Sequence, residues 1–282
     1  MKVVIPAAGL GRRFLPATKS MPKEMLPVVD RPVIHYVVEE AVAAGATNIV
    51  IITGRGKRAV EDYFDHNPDL GSIGEARELE ELEALTRKVS IYYIRQRMPK
   101  GLANAIHCAK HFVGHEPFGV LLGDTINVCT PPLLEQLKTR FTELGGKYSV
   151  LSVESVPDSK VKDYGIVQGH EVAPGVLEVE RMVEKPRLED APSRLGITGA
   201  YFLTPSIFRA IEETAPDATG ETQLTTALNT LAHQEKVYAV TFQGRRYDIG
   251  DRAIWLRTNI EFAMRNPALR EAVLAALREY GR

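Results

Sequence analysis

A short apolar strand that ends in two glycines constrains this chain more than any other feature. The run Lys2–Ala8 is apolar and rich in β-branched residues, which is typical of a buried strand. Gly9 and Gly11 then let the backbone pass close to a ligand, with its N–H groups free to point at an anion. Four cations follow, namely Arg12, Arg13, Lys19 and Lys23. This arrangement predicts a polyphosphate site, and a tight turn with solvated arginines is the alternative.

Two familiar glycine loops do not fit this stretch. A dinucleotide fingerprint needs a third glycine where the chain has Phe14, and the Gly-Lys-Ser/Thr of a Walker loop is absent. A regular helix over residues 14–31 is excluded by Pro16, Pro22, Pro27 and Pro32. We therefore expect the cations on an extended, proline-stiffened segment.

Strands and helices alternate after this loop. Helical spacing begins at Pro32 and stops near Gly45, and a strand is predicted over Asn48–Thr53. Further helices are predicted over Arg55–Phe64 and Glu75–Lys88, followed by a strand over Val89–Ile94. This alternation predicts an α/β fold with a Rossmann-like, mostly parallel mixed sheet flanked by helices, whose ligands gather at the carboxyl ends of the strands.

Composition excludes several functional classes. With 35 basic and 36 acidic side chains, the chain has no overall charge to attract nucleic acid or anionic lipid. No apolar run approaches the ~20 residues of a spanning helix, and the amino-terminal run lacks the features of a signal peptide. Two cysteines, Cys108 and Cys129, without metal-ligand spacing suit a reducing compartment, so we expect a cytoplasmic protein.

Two motifs together carry a resemblance. Residues 9–19, Gly-Leu-Gly-Arg-Arg-Phe-Leu-Pro-Ala-Thr-Lys, and residues 22–27, Pro-Lys-Glu-Met-Leu-Pro, closely resemble the signature of bacterial-type UTP–glucose-1-phosphate uridylyltransferases. These belong to the sugar-1-phosphate nucleotidyltransferase superfamily, and further matching pieces recur in order to about Asp248. The resemblance implies one domain over 1–282, with a nucleotide side (1–150), a sugar-phosphate side (151–250) and carboxyl-terminal helices (251–282). Arg12 and Arg194 depart from the family pattern, which usually has Thr and Asn there.

The nucleotide side has a second candidate segment, residues 95–105, which leaves a strand and opens a helix. Glutamine offers both a donor and an acceptor to a base edge, and glycine permits close backbone approach. The spacing of Gln96 and Gly101 resembles the base-recognition element of the superfamily. Residues implied to bind the nucleotide are Ala7, Ala8, Gly9, Gly11, Gln96 and Gly101, with Arg13 and Lys23 on its phosphates.

Two carboxylates are candidate metal ligands. Asp124 follows the buried strand that begins at Phe118, and a strand end is where an α/β sheet places ligands, although a turn-forming role is equally open. Asp248 lies in Tyr-Asp-Ile-Gly, and by resemblance the two aspartates hold Mg²⁺, which needs few protein carboxylates beside substrate phosphates. Leu-Gly-Asp at 122–124, where uridylyltransferases more often have Leu-Pro-Asp, is similar to dTDP-glucose-forming relatives.

The sugar-phosphate side is implied by family elements after residue 150. By resemblance Gly165 contributes a backbone contact, Glu184 binds sugar hydroxyls and Lys185 neutralises the sugar phosphate, while Ile197 opens a strand that lines the site. Glu221–Thr225 matches a helix start that Thr219 or Gly220 would cap. Residues 267–280 predict an amphipathic helix that packs on its own domain or on a neighbouring subunit.

The resemblance implies a reaction that converts UTP and α-D-glucose 1-phosphate into UDP-glucose and pyrophosphate, with Arg13, Lys23 and Lys185 as catalytic residues. Two alternatives stay open, a dTTP-dependent or other sugar-1-phosphate nucleotidyltransferase and a non-catalytic nucleotide-sugar sensor. A nicotinamide-dependent oxidoreductase is disfavoured by Phe14. We expect a homodimer or homotetramer that binds neither nucleic acid nor membrane.

Overall fold

A computed structural model describes residues 1–67 and 77–280. The strands are β1 (Lys2–Pro6), β2 (Pro27–Val28), β3 (Arg31–Pro32), β4 (Asn48–Thr53), β5 (Ser90–Arg95), β6 (Phe118–Leu121), β7 (Thr125–Val128), β8 (Val150–Ser155), β9 (Gly165–Ala173), β10 (Val176–Glu184), β11 (Leu195–Leu203), β12 (Tyr238–Thr241) and β13 (Arg245–Asp248). The helices are α1 (Val33–Ala43), α2 (Arg58–Phe64), α3 (Arg77–Thr86), α4 (Leu102–His107), α5 (Lys110–Val113), α6 (Leu133–Glu143), α7 (Ser206–Glu213), α8 (Leu224–Ala232), α9 (Arg252–Arg265) and α10 (Pro267–Tyr280). None of the helices in these two ranges is both long and apolar enough to cross a membrane. The first two residues of the helix predicted over Glu75–Lys88 lie outside the described residues.

Within the described ranges, nine strands form one mixed sheet in the order β5-β4-β1-β6-β11-β8-β12-β10-β9. The amino-terminal strands β5, β4, β1 and β6 are all parallel to one another, as β-α-β connections require. Their carboxyl ends therefore meet at one edge of the sheet. The predicted α/β fold with a mixed sheet is confirmed.

Antiparallel pairing dominates the second part of the sheet. Strand β11 runs antiparallel to β6, β8 and β9, and β9 and β10 form a long hairpin. Strand β12 beside β8 is the parallel pair of this part. A separate ladder joins β7 to β13, so the chain returns late to the edge where β6 ended.

Apolar clusters cover both faces of the sheet. One face packs Val4, Val50, Phe118 and Leu151 against α4, α7 and α8, and the other packs Val3, Ile5, Ile49 and Ile51 against α1 and α6. Strands β1, β4 and β6 have side chains in both clusters, because a parallel strand between two helical layers is buried on both faces. This explains their nearly continuous apolar sequence.

The proline-rich segment is folded differently from our expectation. No regular helix forms over residues 14–31, as predicted, but the segment is not simply extended. Short 3₁₀ turns lie at Arg12–Phe14, Ala17–Lys19 and Lys23–Met25. Their i→i+3 hydrogen bonds need only three or four residues, so prolines at the turn boundaries do not interrupt them.

Candidate active site

A two-part cleft lies at the edge where the parallel strands end. The first compartment, about 600 Å³, extends towards Gln96 and Gly101, and the second, about 570 Å³, extends towards Glu184 and Lys185. Residues that line both are Leu10, Gly11, Arg12, Lys23, Leu102, Leu122, Asp124 and Glu221. Two ligands held in the two compartments would therefore meet beside Lys23 and Asp124.

The glycine loop forms the wall between strand β1 and this junction. Gly11 has φ +64°, a left-handed conformation that favours glycine, and its carbonyl accepts hydrogen bonds from Phe14 N at 3.0 Å and from Thr18 Oγ1 at 2.7 Å. A Cβ on Gly9 would approach Lys23 Cε to 3.3 Å. The two glycines thus fold the loop tightly and leave room for the Lys23 side chain.

Lys23 and Asp124 form the central ion pair of the junction. The Lys23 ammonium donates to Asp124 Oδ2, and both side chains are largely shielded from solvent. Burial alone would lower the pKa of Lys23, but the carboxylates of Asp124, Glu24 and Asp248 outweigh it and raise the pKa. For Asp124, burial would raise the pKa, and the Lys23 charge outweighs burial and lowers it. Both groups are therefore ionised at neutral pH.

Asp248 reaches the same point from the far end of the sequence. Strand β13 pairs with β7 so that Asp248 faces Thr125, and Ile249 N donates to Asp124 O at 3.0 Å. A Cβ on Gly250 would lie 2.9 Å from Asp248 Oδ1 and 3.9 Å from Asp124 Oδ2. The two aspartates therefore lie close together at the junction of the compartments. Asp124 lies in the turn between β6 and β7, three residues after β6 ends.

These two carboxylates do not form a closed metal cage. Within 1–67 and 77–280, no group of three or more His, Cys, Asp or Glu side chains is placed to hold a metal ion. Asp124 and Asp248 could contribute two oxygen ligands, and other oxygens would have to come from a substrate. That donor set suits a hard cation such as Mg²⁺.

Gln96 and Gly101 lie together at the end of the first compartment. Gln96 is 7% exposed, and its Nε2 donates to Gly101 O at 3.2 Å and to Asn104 Oδ1 at 2.8 Å. Gly101 has φ +90°, and a Cβ there would lie 2.7 Å from Thr222 O. The glycine is thus required by the protein's own packing. Ala8 and Gly9 line this compartment. Ala7 is 1% exposed, and it is not among the described residues that line the two compartments.

The predicted sugar-side residues all line the second compartment. They are Gly165, Glu184, Lys185 and Ile197, and Arg13 joins them. A Cβ on Gly165 would lie 2.4 Å from Thr225 Oγ1, so α8 packs directly on this glycine. Lys185 has φ +44°, which is uncommon for a residue with a side chain, and its N donates to Tyr164 O at 3.0 Å. Lys185 Nζ lies 3.1 Å from Glu184 Oε1.

Arg246 is a cleft residue that the sequence did not indicate. Its guanidinium donates to Glu154 Oε1 at 2.5 Å and to Tyr164 Oη at 2.9 Å, and its Nη1 lies 3.6 Å from Asp248 Oδ2. Burial would lower the pKa of Arg246, but Glu154 outweighs it and the pKa rises. Arg246 therefore ties Asp248 to the β8 strand and to the loop before Gly165. Its position two residues before Asp248 was the only available signal.

The two departures from the family pattern have different surroundings. Arg12 lines both compartments, whereas Arg194 binds Asp158 at 2.5 Å and is absent from the described lining of the cleft. The prediction that Thr219 or Gly220 caps α8 is wrong. The helix begins at Leu224 after Gln223, and Thr219 donates its backbone N–H to Asp217 Oδ1 at 2.8 Å instead.

Helix α9 holds the glycine loop from outside the cleft. Arg252 donates to Arg13 O at 2.7 Å and to Leu15 O at 2.6 Å, and Trp255 Nε1 donates to Pro27 O at 2.9 Å. This carboxyl-terminal helix packs on its own chain. Helix α10 follows it, and no α10 side chain is buried.

Comparisons with known proteins match this architecture. A sequence profile of the nucleotidyl transferase family matches residues 2–260. A UTP–glucose-1-phosphate uridylyltransferase of Staphylococcus epidermidis is 44% identical over 282 residues, with 99% of this chain and 97% of that protein covered. A crystal structure of UDP-glucose pyrophosphorylase complexed with UDP-glucose superposes with a TM-score of 0.88 at 39% identity, covering 94% of this chain and 99% of that one. A UTP-bound pyrophosphorylase of Acinetobacter baumannii gives 0.86 at 36% identity, with 99% of each chain covered.

The mixed sheet and the charged cleft at its strand ends are those of a nucleotidyltransferase, and the chain belongs to the nucleotidyl transferase family. Within that family, its resemblance to the UTP–glucose-1-phosphate uridylyltransferases is confirmed by full-length relatives of that name and by pyrophosphorylase structures.

Proposed function

We propose that this enzyme transfers the uridylyl group of UTP to α-D-glucose 1-phosphate, giving UDP-glucose and pyrophosphate. The observation that carries the proposal is the pair of compartments that adjoin at Lys23 and Asp124. A nucleotide in the first compartment and a sugar phosphate in the second would have their phosphates at one point. Full-length relatives named UTP–glucose-1-phosphate uridylyltransferase support the choice of substrates.

The reaction is a displacement at phosphorus. A phosphate oxygen of the sugar phosphate forms a bond to the α-phosphorus of UTP, and the bond from that phosphorus to the bridging oxygen breaks. Pyrophosphate leaves with the electron pair. Because the nucleophile is already an anion, no general base is required, and catalysis depends on alignment and charge stabilisation.

The proposed roles follow from where the cations lie. Lys23, at the junction, and Arg13, beside Gly250, stabilise the nucleotide phosphates. Lys185 neutralises the sugar phosphate, and Glu184 accepts hydrogen bonds from sugar hydroxyls. Gly165 and Ile197 shape the sugar pocket. The backbone at Ala8, Gly9 and Gly11, with Gln96 and Gly101, binds the nucleotide, and Ala7, buried behind the loop, supports it.

Mg²⁺ is the proposed cofactor, and Asp124 and Asp248 would hold it. When bound, it would neutralise phosphate charge and help orient the triphosphate. The residues fit this group because Asp124 already pairs with a cation, the Lys23 ammonium, and Asp248 converges on the same point. Asp124 is also kept ionised, as a metal ligand must be.

We further propose that residues 1–282 act as a single nucleotidyltransferase domain with the three parts predicted above. Its activity requires neither nucleic acid nor membrane. The assembly as a homodimer or homotetramer remains a prediction. The cytoplasmic location also remains a prediction, which is based on the low thiol content.

Pyrophosphate release tests the proposed function. The purified protein is assayed with Mg²⁺ against UTP, dTTP, CTP, ATP and GTP, each with glucose 1-phosphate and with other sugar 1-phosphates. We expect UTP with glucose 1-phosphate to give the highest kcat/KM and dTTP to be used measurably. A higher value with dTTP would make the protein a thymidylyltransferase, and binding without turnover would favour the sensor.

A further inference from the structure

The orientation of the Gln96 amide is fixed by two acceptors. Its Nε2 donates both hydrogens, one to Gly101 O at 3.2 Å and one to Asn104 Oδ1 at 2.8 Å. A backbone carbonyl can only accept, so the nitrogen of Gln96 must be the atom that faces Gly101. The side chain is 7% exposed and has little freedom to turn.

The amide of Gln96 therefore has only its oxygen left for a ligand. Among the described residues, Gln96 Oε1 has no hydrogen-bond partner. The atom is not fully buried, so a ligand can reach it. Since Gln96 lines the first compartment, a bound base would meet an acceptor and not a donor. Uracil and thymine carry an N–H donor at N3, whereas N3 of cytosine is an acceptor.

We propose that Asn104 is a specificity-determining positioning residue that acts through Gln96. This inference rests on the proposed function. By holding the Gln96 amide, Asn104 makes the site prefer a pyrimidine with an N3–H over cytosine. The Gly101 carbonyl alone holds the amide weakly, because it also accepts Ala105 N at 3.2 Å in α4. The shorter bond to Asn104 is the stronger restraint. Without it, Gln96 could turn and offer its amide nitrogen to cytosine.

Two variants of similar size separate this role from packing. Asn104→Leu removes the acceptor, whereas Asn104→Asp keeps an oxygen at the same place. The readout is the ratio of kcat/KM for UTP to that for CTP, with glucose 1-phosphate saturating. Because both nucleotides carry the same triphosphate, the added charge of Asn104→Asp largely cancels in the ratio.

We expect Asn104→Leu to lower the UTP-to-CTP ratio about tenfold, the effect of losing one buried hydrogen-bond constraint. Asn104→Asp should keep the ratio within about twofold of the wild type. An unchanged ratio in Asn104→Leu, or an equal loss for both nucleotides, would overturn the proposal. If Asn104→Leu does not fold, Asn104→Ala serves the same comparison.

The two proposals fail in different ways. A wild-type protein that releases no pyrophosphate from UTP would contradict the proposed function. The Kd values of UTP and CTP for the wild type and the Asn104 variants, measured by calorimetry, would then still test the Asn104 assignment. The same changes in the UTP-to-CTP ratio are expected in binding.

Discussion

Glu24 and Lys57 form an ion pair beneath the cleft, with Lys57 Nζ 2.6 Å from Glu24 Oε2 and neither side chain more than 5% exposed. Glu24 directly follows Lys23, and its Cγ would lie 3.3 Å from a Cβ on Gly123, the residue before Asp124. The buried pair thus supports both members of the Lys23–Asp124 contact. Burial raises the pKa of Glu24, opposed by the charges of Lys23 and Lys57, and burial lowers the pKa of Lys57, opposed by the charge of Glu24.

Removing Lys57 should destabilise the protein. Lys57→Met would leave the Glu24 carboxylate buried without its partner, and Glu24 Oε1 already lacks a hydrogen bond. We expect the free energy of unfolding to fall by about 3–5 kcal/mol at neutral pH, measured by urea denaturation. The double variant Glu24→Gln/Lys57→Met should recover much of this loss because neither charge of this pair is left buried without its partner. A loss below about 1 kcal/mol in Lys57→Met would show that the pair has no structural role.

Asp124 should be indispensable for turnover. Asp124→Asn removes one candidate metal ligand and the charge that pairs with Lys23, so kcat should fall at least ~100-fold. The measurement is pyrophosphate release as a function of Mg²⁺ concentration. Asp62→Asn, on the exposed surface of α2, is the matched control and should behave as the wild type. Near-normal Mg²⁺-dependent turnover in Asp124→Asn would refute the metal assignment.

Lys185 should affect one substrate only. It lines the second compartment and not the first, so Lys185→Ala should raise KM for glucose 1-phosphate and lower kcat. The Kd for UTP should stay within a few fold of the wild type. Lys162→Ala, which removes a nearby exposed ammonium outside the lining of both compartments, is the control. A collapse of UTP binding in Lys185→Ala, with sugar phosphate binding intact, would assign Lys185 to the nucleotide.

Local sequence pattern was sufficient for most secondary structure. The strand predicted over Asn48–Thr53 has the observed bounds, because a run of β-branched residues between polar ends can only be a buried strand here. The conformation of the segment around Lys23 could not be predicted in this way. Prolines indicate which helix cannot form, but the 3₁₀ turns depend on hydrogen bonds such as Met25 N to Pro22 O, which no spacing rule specifies.

Some residues of the candidate site could be placed from the sequence, and others could not. Gln96, Asp124 and Lys185 each follow a recognisable strand or motif, so their places in the cleft could be predicted from sequence. Lys57 and Arg246 could not, because their partners are 33 and 92 residues away and are set by the tertiary fold. Their charges looked like ordinary surface charges in the sequence. Burial, which gives them their roles, is a property of the whole sheet.

Glu40 is a buried carboxylate behind the β7–β13 ladder. It is 7% exposed on α1, and it accepts hydrogen bonds from Asn127 Nδ2 at 2.9 Å and from Leu134 N at 3.3 Å. Burial raises its pKa from 4.5 to about 7, and the two hydrogen bonds only partly oppose this. Asn127 Oδ1 is buried without a partner. A neutral side chain at position 40 that can donate to Asn127 would fit this environment well.

Glu40→Gln should therefore change how stability depends on pH. Because the folded pKa is raised, the contribution of Glu40 is fully present below pH 4.5 and is lost as the pH rises through about 7. Relative to the variant, the wild type should lose about 3 kcal/mol of unfolding free energy across that window, at ~1.4 kcal/mol per pKa unit. Urea denaturation from pH 4.5 to pH 8 measures the difference. Glu39→Gln, exposed on the same helix, should follow the wild-type curve. Parallel curves for Glu40→Gln and the wild type would show that folding does not raise the pKa of Glu40.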